Sequence, residues 1–266
     1  MDYLYAHKND YCAECMLSKN DIKTIKSLGL KKTRNEKGLF LAEGHKLVEE
    51  LLKSFECVLV AGLEEWISGR KGINAARIEC VSQDQLRQAS LLQAPQDVIA
   101  VFRIPKSSPD MGVAARELVL ALDTVQDPGN LGTIVRIADW FGIREIFCSQ
   151  GTADIYNPKA VQATMGAMAR VRVHYVDLEK ELAGMAGKVA VYGTFLDGRD
   201  MYECNMSNSG IIVMGNEGNG ISPKIARQVT DRIYIPNWPK GAETSESLNV
   251  AVATSIICAE FRRRAR

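Results

Sequence analysis

The sequence predicts an α/β protein with two domains, a small first domain and a larger second one built on a parallel sheet. Its 266 residues exceed the length of an average single domain, so two domains are favoured. Segments of strand and helix character alternate along most of the chain, which is typical of α/β folds. A stretch containing Pro, Ser and Gly, Pro105–Gly112, separates two such series and is predicted to be a linker. We expect the first domain at residues 16–105, the linker at 106–116 and the second domain at 117–266.

The composition limits the kind of function that the chain can have. The net charge is only +1, so any nucleic-acid site must be a local basic patch. The sequence contains no apolar run as long as a membrane span, and its first residues lack the apolar core of a signal peptide. We therefore expect a cytoplasmic protein without a membrane partner.

The seven cysteines are odd in number and irregular in spacing, which argues against a disulfide framework. Cys148 and Cys258 stand among apolar residues and are predicted to be reduced and buried. Cys12 and Cys15 have the spacing of a zinc-ligand pair, but no second pair of ligands at metal spacing accompanies them. A thioredoxin-like redox motif would need a helix N-terminus after a strand, which nothing here indicates. We expect no metal site.

Residues 1–15 look unlike the rest of the first domain and are predicted to be a poorly ordered extension. Ser18 or Asn20 can cap a first helix over 21–28. The remainder of the first domain alternates helices with strands, as a small α/β domain would. The predicted helices are at 44–53 and 83–90, and the predicted strands are at 57–61, 78–81 and 96–105.

The main local charge bias lies in residues 19–37, which contain seven basic and two acidic side chains, a net charge of +5. Such a bias is typical of a solvated basic helix and turn. It is also typical of a surface that contacts the phosphates of a nucleic acid. The candidates for that second role are Lys31, Lys32 and Arg34.

The second domain opens with a fully apolar strand at 118–122, as expected for a central parallel strand covered on both faces. After a turn, Asn130 is predicted to cap a helix on which Arg136 points away from the apolar face. Arg136 could form a surface ion pair with Asp139 or Asp123, or it could direct its guanidinium at a ribose or phosphate. The other predicted strands are 145–149, 171–176, 189–193, 211–214 and 233–235, and the other helices are 157–170, 178–186 and 248–261.

Three loops of this domain are candidates for a ligand site, because open α/β sheets bind ligands beyond the carboxyl ends of their strands. Thr194 begins the loop after one strand. Gly215 begins a glycine-rich turn, in which the backbone can approach a ligand closely. The third loop runs from Pro236 to a helix mouth at Ser247, where free N–H groups suit an anion or an electron-rich ligand. The alternative for this third loop is an ordinary, well-capped connection.

Taken together, these stretches resemble the three ordered motifs of the SpoU (TrmH-like) ribose methyltransferases, members of the SPOUT superfamily. The matching pieces are Asn130 with Arg136, the turn Gly215–Gly218, and Ile235-Pro236 followed by Ser247-Leu-Asn249. The match covers about residues 117–263. In the first domain, Phe40–Gly44, interpreted as a turn, and the strand Val98–Phe102 resemble the ribosomal-protein-L30e-like substrate-binding domain that often precedes such catalytic domains.

The resemblance implies an enzyme that transfers a methyl group from S-adenosylmethionine to a ribose 2′-oxygen in RNA. It also implies a parallel-sheet SPOUT domain with a C-terminal trefoil knot, a homodimer, and no need for a metal or a catalytic cysteine. Arg136 would handle the hydroxyl or the adjacent phosphate. The other implied active-site residues are Asn130, Glu217, Ser247 and Asn249. The implied cofactor contacts are the main chain of Gly215, Ile235 and Leu248, together with Thr194.

The fused first domain favours ribosomal RNA as the substrate, with transfer RNA as the alternative. A non-catalytic RNA-binding protein of the same fold would not need Asn130, Arg136, Glu217 and Asn249 all at once. A nicotinamide-dependent enzyme is disfavoured, because the sequence lacks the glycine fingerprint and the acidic residue that binds ribose. The loop 237–246 is longer than the form usual in the family.

Overall fold

The computed structural model describes residues 16–106, 108–239, 243 and 247–265. The predicted extension at 1–15, with Cys12 and Cys15, lies outside the described residues. The chain divides into two compact units. The first contains the residues up to Pro105 together with Tyr156–Gln162, and the second contains Lys106–Ile155 and Ala163–Arg266.

The first unit is a four-stranded sheet with helices. Its strands stand in the order β1-β4-β2-β3, with β4 antiparallel to both of its neighbours and β2 parallel to β3. The strands are β1 Leu39–Glu43, β2 Cys57–Gly62, β3 Ile78–Cys80 and β4 Val98–Arg103. The helices are α1 Lys19–Ser27, α2 Lys31–Lys37, α3 His45–Leu52, α4 Glu64–Ser68 and α5 Gln83–Ala89.

Two features of this unit differ from the prediction or refine it. Ser18 is the residue that caps α1, and it forms a capping box with Asp21. Phe40–Gly44 was predicted to be a turn, but β1 runs through Leu39–Glu43 and pairs with β4 along its whole length. Four successive residues of β1, from Phe40 to Glu43, are buried. The alternating pattern that marks a half-exposed strand is therefore missing, which is why the sequence did not indicate it.

The second unit is a six-stranded, entirely parallel sheet, which confirms the predicted α/β class. The strand order is β10-β8-β9-β5-β6-β7. The strands are β5 Leu118–Leu122, β6 Glu145–Cys148, β7 Arg172–Tyr175, β8 Val191–Asp200, β9 Gly210–Met214 and β10 Asp231–Tyr234. The helices of this unit are α6 Pro128–Trp140, α8 Leu178–Gly184, α9 Pro223–Ala226 and α10 Val250–Arg264, with short 3-10 turns at Met111–Ala115 and Ala167–Ala169. Helix α7, Pro158–Thr164, follows β6 in the chain, but its residues up to Gln162 belong to the first unit.

The central strands β5 and β9 are buried along their whole length, as the apolar runs predicted. The helix predicted at 157–170 is shorter, because it stops at Thr164 and the next residue, Met165, has a φ of +50°. Cys148 and Cys258 are free and buried, as predicted, and burial raises the pKa of both thiols. Among the described helices, none has both the length and the apolar character that crossing a membrane requires.

A buried carboxylate ties the last helix to the rest of the second unit. Glu260 is only 5% exposed and accepts hydrogen bonds from Arg263 at 2.7 and 2.8 Å and from Arg264 at 2.6 Å. Arg264 in turn donates to the carbonyls of Met201 and Tyr202, which follow β8. The hydrogen bonds from Arg263 and Arg264 lower the pKa of Glu260 to about 2.

We expect Glu260→Gln to lower the stability of the second unit by roughly 1 to 3 kcal/mol at neutral pH. Because the folded-state pKa lies below that of an unfolded glutamate, about 4.3, the charged form stabilises the fold above pH 4.3. This contribution is lost as the pH falls towards 2. Thermal unfolding at stepped pH should therefore show the two proteins converging in acid. A constant difference across that range would contradict the assignment.

Candidate active site

The candidate site lies in the second unit, beyond the carboxyl ends of three strands. β5 leads into α6, β9 leads into the glycine-rich turn, and β10 leads into the loop that ends at Asn249. Because all strands of this sheet run in the same direction, these connections leave it at one edge.

The first connection ends in a well-formed helix start. Asp127 is the N-cap of α6, and its carboxylate accepts a hydrogen bond from the backbone N–H of Asn130 at 2.8 Å. Pro128 occupies the first turn, where it costs no hydrogen bond. The prediction that Asn130 caps this helix is therefore wrong. Asn130 is the third residue of α6, and its side chain points to other partners.

A chain of hydrogen bonds joins three of the predicted site residues. Asn249 is the N-cap of α10, with its Oδ1 accepting from the N–H groups of Ala251 at 2.9 Å and Val252 at 3.3 Å. This fixes the amide orientation, and Nδ2 of Asn249 donates to Oδ1 of Asn130 at 3.0 Å. Nδ2 of Asn130 then donates to Oε1 of Glu217 at 3.0 Å. One helix cap thereby orients a polar row that ends in a carboxylate.

The glycine-rich turn after β9 is fastened to the connection after β5. Asn216 donates from Nδ2 to the carbonyl of Thr124 at 2.8 Å. The buried carboxylate of Asp123 accepts from the N–H of Ser222 at 2.7 Å. Thr124 has a φ of +61°, an uncommon conformation for a β-branched residue. The two connections therefore form one braced structure.

Gly215 occupies a position that no other residue fits. A Cβ added there would lie 2.2 Å from the carbonyl carbon of Gly220 and 2.4 Å from the nitrogen of Ile221. Both atoms belong to the main chain and cannot turn aside as a side chain could. The absence of a side chain at Gly215 therefore allows the two sides of the turn to approach closely, and the predicted approach of this backbone to a ligand stays a prediction.

Arg136 is an exposed side chain on α6. Within the part of the chain that the structure describes, it forms no hydrogen bond or ion pair. The predicted alternative, an ion pair with Asp139 or Asp123, is not formed. Asp139 binds Arg170 at 2.8 Å and 2.9 Å, and Asp123 accepts the hydrogen bond from the N–H of Ser222. An exposed guanidinium of this kind can bind an anionic ligand.

Thr194 does not begin a loop as predicted, because β8 continues from Val191 to Asp200. The pairing of β8 with β10 is nevertheless interrupted after Gly193. Arg232 of β10 pairs with Gly193, whereas the next residue of β10 pairs with Arg199. Residues 194–198, which we call the excursion, leave the ladder with β10. The predicted loop therefore survives as a bulge within a longer strand.

The other predicted cofactor residues lie around the loop after β10. β10 ends at Tyr234, so Ile235 stands just beyond the strand and is half-buried, whereas the sequence placed it within the strand. α10 begins at Val250, two residues later than predicted. Ser247 and Leu248 precede that start and are exposed, with Leu248 49% exposed.

The predicted RNA-contacting residues all lie on α2 of the first unit, but they differ in exposure. Lys31 and Lys32 are exposed. Arg34 is only 1% exposed, and its Nη1 donates to the carbonyls of Leu28 at 2.8 Å and Gly29 at 2.9 Å. The prediction that Arg34 contacts RNA is corrected accordingly, because its guanidinium ties two backbone carbonyls inside the unit.

We expect Arg34→Met to destabilise the first unit by about 2 to 4 kcal/mol, because two buried carbonyls lose a charged donor. Lys32→Met is the matched control, since it removes the same charge from an exposed position of the same helix and should change stability by less than about 0.5 kcal/mol. Thermal unfolding of both variants distinguishes them. Equal unfolding midpoints would contradict a structural role for Arg34.

Sequence reasoning missed three residues that shape the site, namely Asp123, Asp127 and Asn216. Asp127 could have been found, because an Asp immediately before Pro is a common helix start. Asp123 and Asn216 act on partners that are distant in sequence, at separations of 99 and 92 residues. No local pattern indicates such contacts.

Comparison with known proteins finds a matching family model for each of the two units. A family model described as the SpoU rRNA Methylase family matches residues 117–259, and one described as the MRM3-like substrate binding domain matches residues 19–100. The 23S rRNA (guanosine(2553)-2'-O)-methyltransferase RlmP of Bacillus subtilis (strain 168) is 34% identical over 250 residues. That match covers 91% of this chain and 95% of the relative.

Solved structures agree with these matches. A TrmH-family protein from Porphyromonas gingivalis is 41% identical with a TM-score of 0.86, over 94% of this chain and 99% of that one. The AdoMet-bound rRNA methyltransferase from Sinorhizobium meliloti is 29% identical with a TM-score of 0.80, over 94% of this chain and 98% of that one. The predicted resemblance is confirmed, and the chain belongs to the SpoU rRNA methylase family.

Proposed function

We propose that this chain transfers the methyl group of S-adenosylmethionine to a ribose 2′-oxygen of RNA, with ribosomal RNA as the substrate. The observation that carries the proposal is the hydrogen-bonded row Asn249–Asn130–Glu217, whose middle residue lies on α6, the helix that carries the exposed Arg136. A protein that only binds RNA would have no need for this row. The names of the similar RlmP and of the AdoMet-bound relative support the substrate and the cofactor.

The residues present fit S-adenosylmethionine. Ile235 and Leu248 offer apolar surface for an adenine ring, and both are at least partly exposed. Thr194 at the start of the excursion and the backbone of Gly215 are the other proposed contacts. The half-buried carboxylate of Glu217 suits a nearby positive charge. When bound, the cofactor supplies an electrophilic methyl group.

In the mechanism that we propose, Arg136 positions the ribose and its phosphate. A 2′-hydroxyl is a poor nucleophile, so it must be held in line with the methyl group, and its proton passes to solvent water near the moment of attack. A guanidinium stays protonated in proteins, and its planar fork suits a phosphate or a developing oxyanion. Arg136 therefore acts by position and charge.

The other residues of the row hold the site in shape. Glu217 accepts hydrogen bonds from Asn130 and from the backbone N–H of Gln126 at 3.4 Å, so it braces the loop after β5. Asn249 holds the start of α10 in place as its N-cap. Ser247 lies two residues before Asn249 and is exposed. We propose these residues as neutral or anionic neighbours of the ribose.

We also propose that the exposed Lys31 and Lys32 contact RNA phosphates.

We propose further that the protein is a homodimer. Large apolar side chains of the second unit are exposed, among them Trp140 at 85% and Val252 at 49%. Exposed apolar surface of this kind favours contact with another chain. Sedimentation equilibrium tests the dimer, and a monomer at micromolar concentration would exclude it.

The test of the activity is methyl transfer from labelled S-adenosylmethionine into RNA taken from a strain that lacks the protein. The RNA is separated into ribosomal and transfer fractions and digested with alkali, which spares only linkages whose 2′-oxygen is blocked. We expect label in alkali-resistant dinucleotides of ribosomal RNA. Label in the transfer RNA fraction instead would show that transfer RNA is the substrate. Tight RNA binding without label in either fraction would favour the alternative, a non-catalytic RNA-binding protein.

A further inference from the structure

The excursion of β8, residues 194–198, meets β10 at one side chain. Arg232 pairs with Gly193 in the ladder, and its neighbour Ile233 pairs with Arg199. Arg232 therefore stands where the excursion leaves the sheet. Its side chain is 43% exposed, so its contacts can be lost without opening the core.

Arg232 binds the excursion in two ways. Its guanidinium carbon lies 3.5 Å from the centre of the Phe195 ring, a cation–π contact. Its Nη2 donates to Oδ1 of Asp197 at 2.5 Å, and this hydrogen bond lowers the pKa of Asp197 below its usual range. A planar guanidinium can stack and form a charged hydrogen bond at once, which an ammonium group cannot do.

The two ends of the excursion are held differently from its middle. At the first end, Oγ1 of Thr194 donates to the carbonyl of Val213 at 3.4 Å. At the other end, Gly198 packs so closely that an added Cβ would lie 2.5 Å from the carbonyl carbon of Ile233. Between them Leu196 is 72% exposed. Phe195 also packs against the core of the second unit, and the contacts that Arg232 makes with Phe195 and Asp197 hold the middle of the excursion against β10.

We infer that Arg232 is a positioning residue for the cofactor, because it holds the excursion in the shape that presents Thr194 and its neighbours to S-adenosylmethionine. The inference rests on the proposed function. Arg232 touches residues 195 and 197 and acts on the ligand through them. Its removal should weaken cofactor binding while the site for the ribose, built on α6 and α10, keeps its shape.

The experiment measures binding of S-adenosylhomocysteine by calorimetry and steady-state kinetics for wild type, Arg232→Met and Arg199→Met. Methionine keeps a long side chain against Phe195 and removes both charged contacts. Arg199→Met is the matched control, because Arg199 forms an exposed ion pair with Asp231 at 3.1 Å across the same two strands. Thermal unfolding of each variant reports on the fold.

For Arg232→Met we expect the Kd for S-adenosylhomocysteine and the KM for S-adenosylmethionine to rise about tenfold. We expect kcat, the KM for RNA and the unfolding midpoint to change little, and Arg199→Met to match wild type. Asp197→Asn should raise the Kd, and adding it to Arg232→Met should raise it no further.

Two results would overturn the inference. An unchanged Kd in Arg232→Met would do so, whether or not the unfolding midpoint falls, because the residue would then be only structural. A rise of the same size in Arg199→Met would show a general effect of charge. If wild type itself binds no S-adenosylhomocysteine, the proposed function fails and the inference falls with it, which is a distinguishable outcome.

Discussion

Arg136→Ala is expected to lower kcat for methyl transfer by about 10²- to 10³-fold, the usual loss when one charged donor at a reacting oxygen is removed. The side chain is exposed and unpaired among the described residues, so its loss should leave the fold intact. Arg136→Lys keeps the charge without the planar fork and should recover only part of the rate. Single-turnover kinetics with saturating RNA separates chemistry from binding.

The control for Arg136 is Arg116→Ala. Arg116 is also exposed, but it precedes β5 and therefore lies at the opposite edge of the sheet from the proposed site. This variant should keep wild-type kcat and binding of S-adenosylhomocysteine. A loss in Arg136→Ala of less than about threefold would remove Arg136 from the proposed mechanism, and the remaining neighbours of the ribose would be Asn130, Glu217, Ser247 and Asn249.

Gly215→Ala is expected to abolish cofactor binding and to destabilise the second unit by about 2 to 4 kcal/mol. The new methyl group would stand 2.2 Å from the main chain of Gly220, so the two sides of the turn must separate. This movement would also displace Glu217, which ends the polar row through Asn130. Calorimetric binding and thermal unfolding measure the two effects independently.

Gly218→Ala, in the same turn, is the matched control for Gly215→Ala. An added Cβ there lies 3.7 Å from Oδ1 of Asn216, an ordinary contact, and Gly218 does not have a positive φ. Stability should change by less than about 1 kcal/mol, and cofactor binding should persist. Wild-type binding in Gly215→Ala would show that the turn can open without harm and would exclude it from the cofactor site.

The elements of the second unit were predictable because each strand that the core buries is a short apolar run, as in β5 and β9. Their ends were less predictable. The helix predicted at 248 begins at Val250, because Asn249 bonds the N–H groups of its first turn. β8 was predicted to stop at Gly193, because the pairing that resumes at Arg199 depends on β10, more than thirty residues away.

The sequence predicted that some residues of the candidate site lie together, but not which contacts they form, and their roles in the site stay predictions. Asn130, Glu217 and Asn249 meet, as the motif match implied. Sequence could not show that Arg34 is buried, because a basic run gives no sign of which member turns inward to bind carbonyls. An arginine among lysines looks the same whether it faces solvent or the interior.

The hydrogen bond between Asn249 and Asn130 joins residues 119 positions apart, which has a consequence for how the protein matures. During synthesis the sheet up to β9 can form while α10 is still being made, and Asn130 can already meet Glu217. The polar row is completed only when the last helix docks. Contacts between residues far apart in sequence form slowly, and this one must also wait until α10 has been synthesised. Activity should therefore appear in a single late step of folding, well after the sheet has formed.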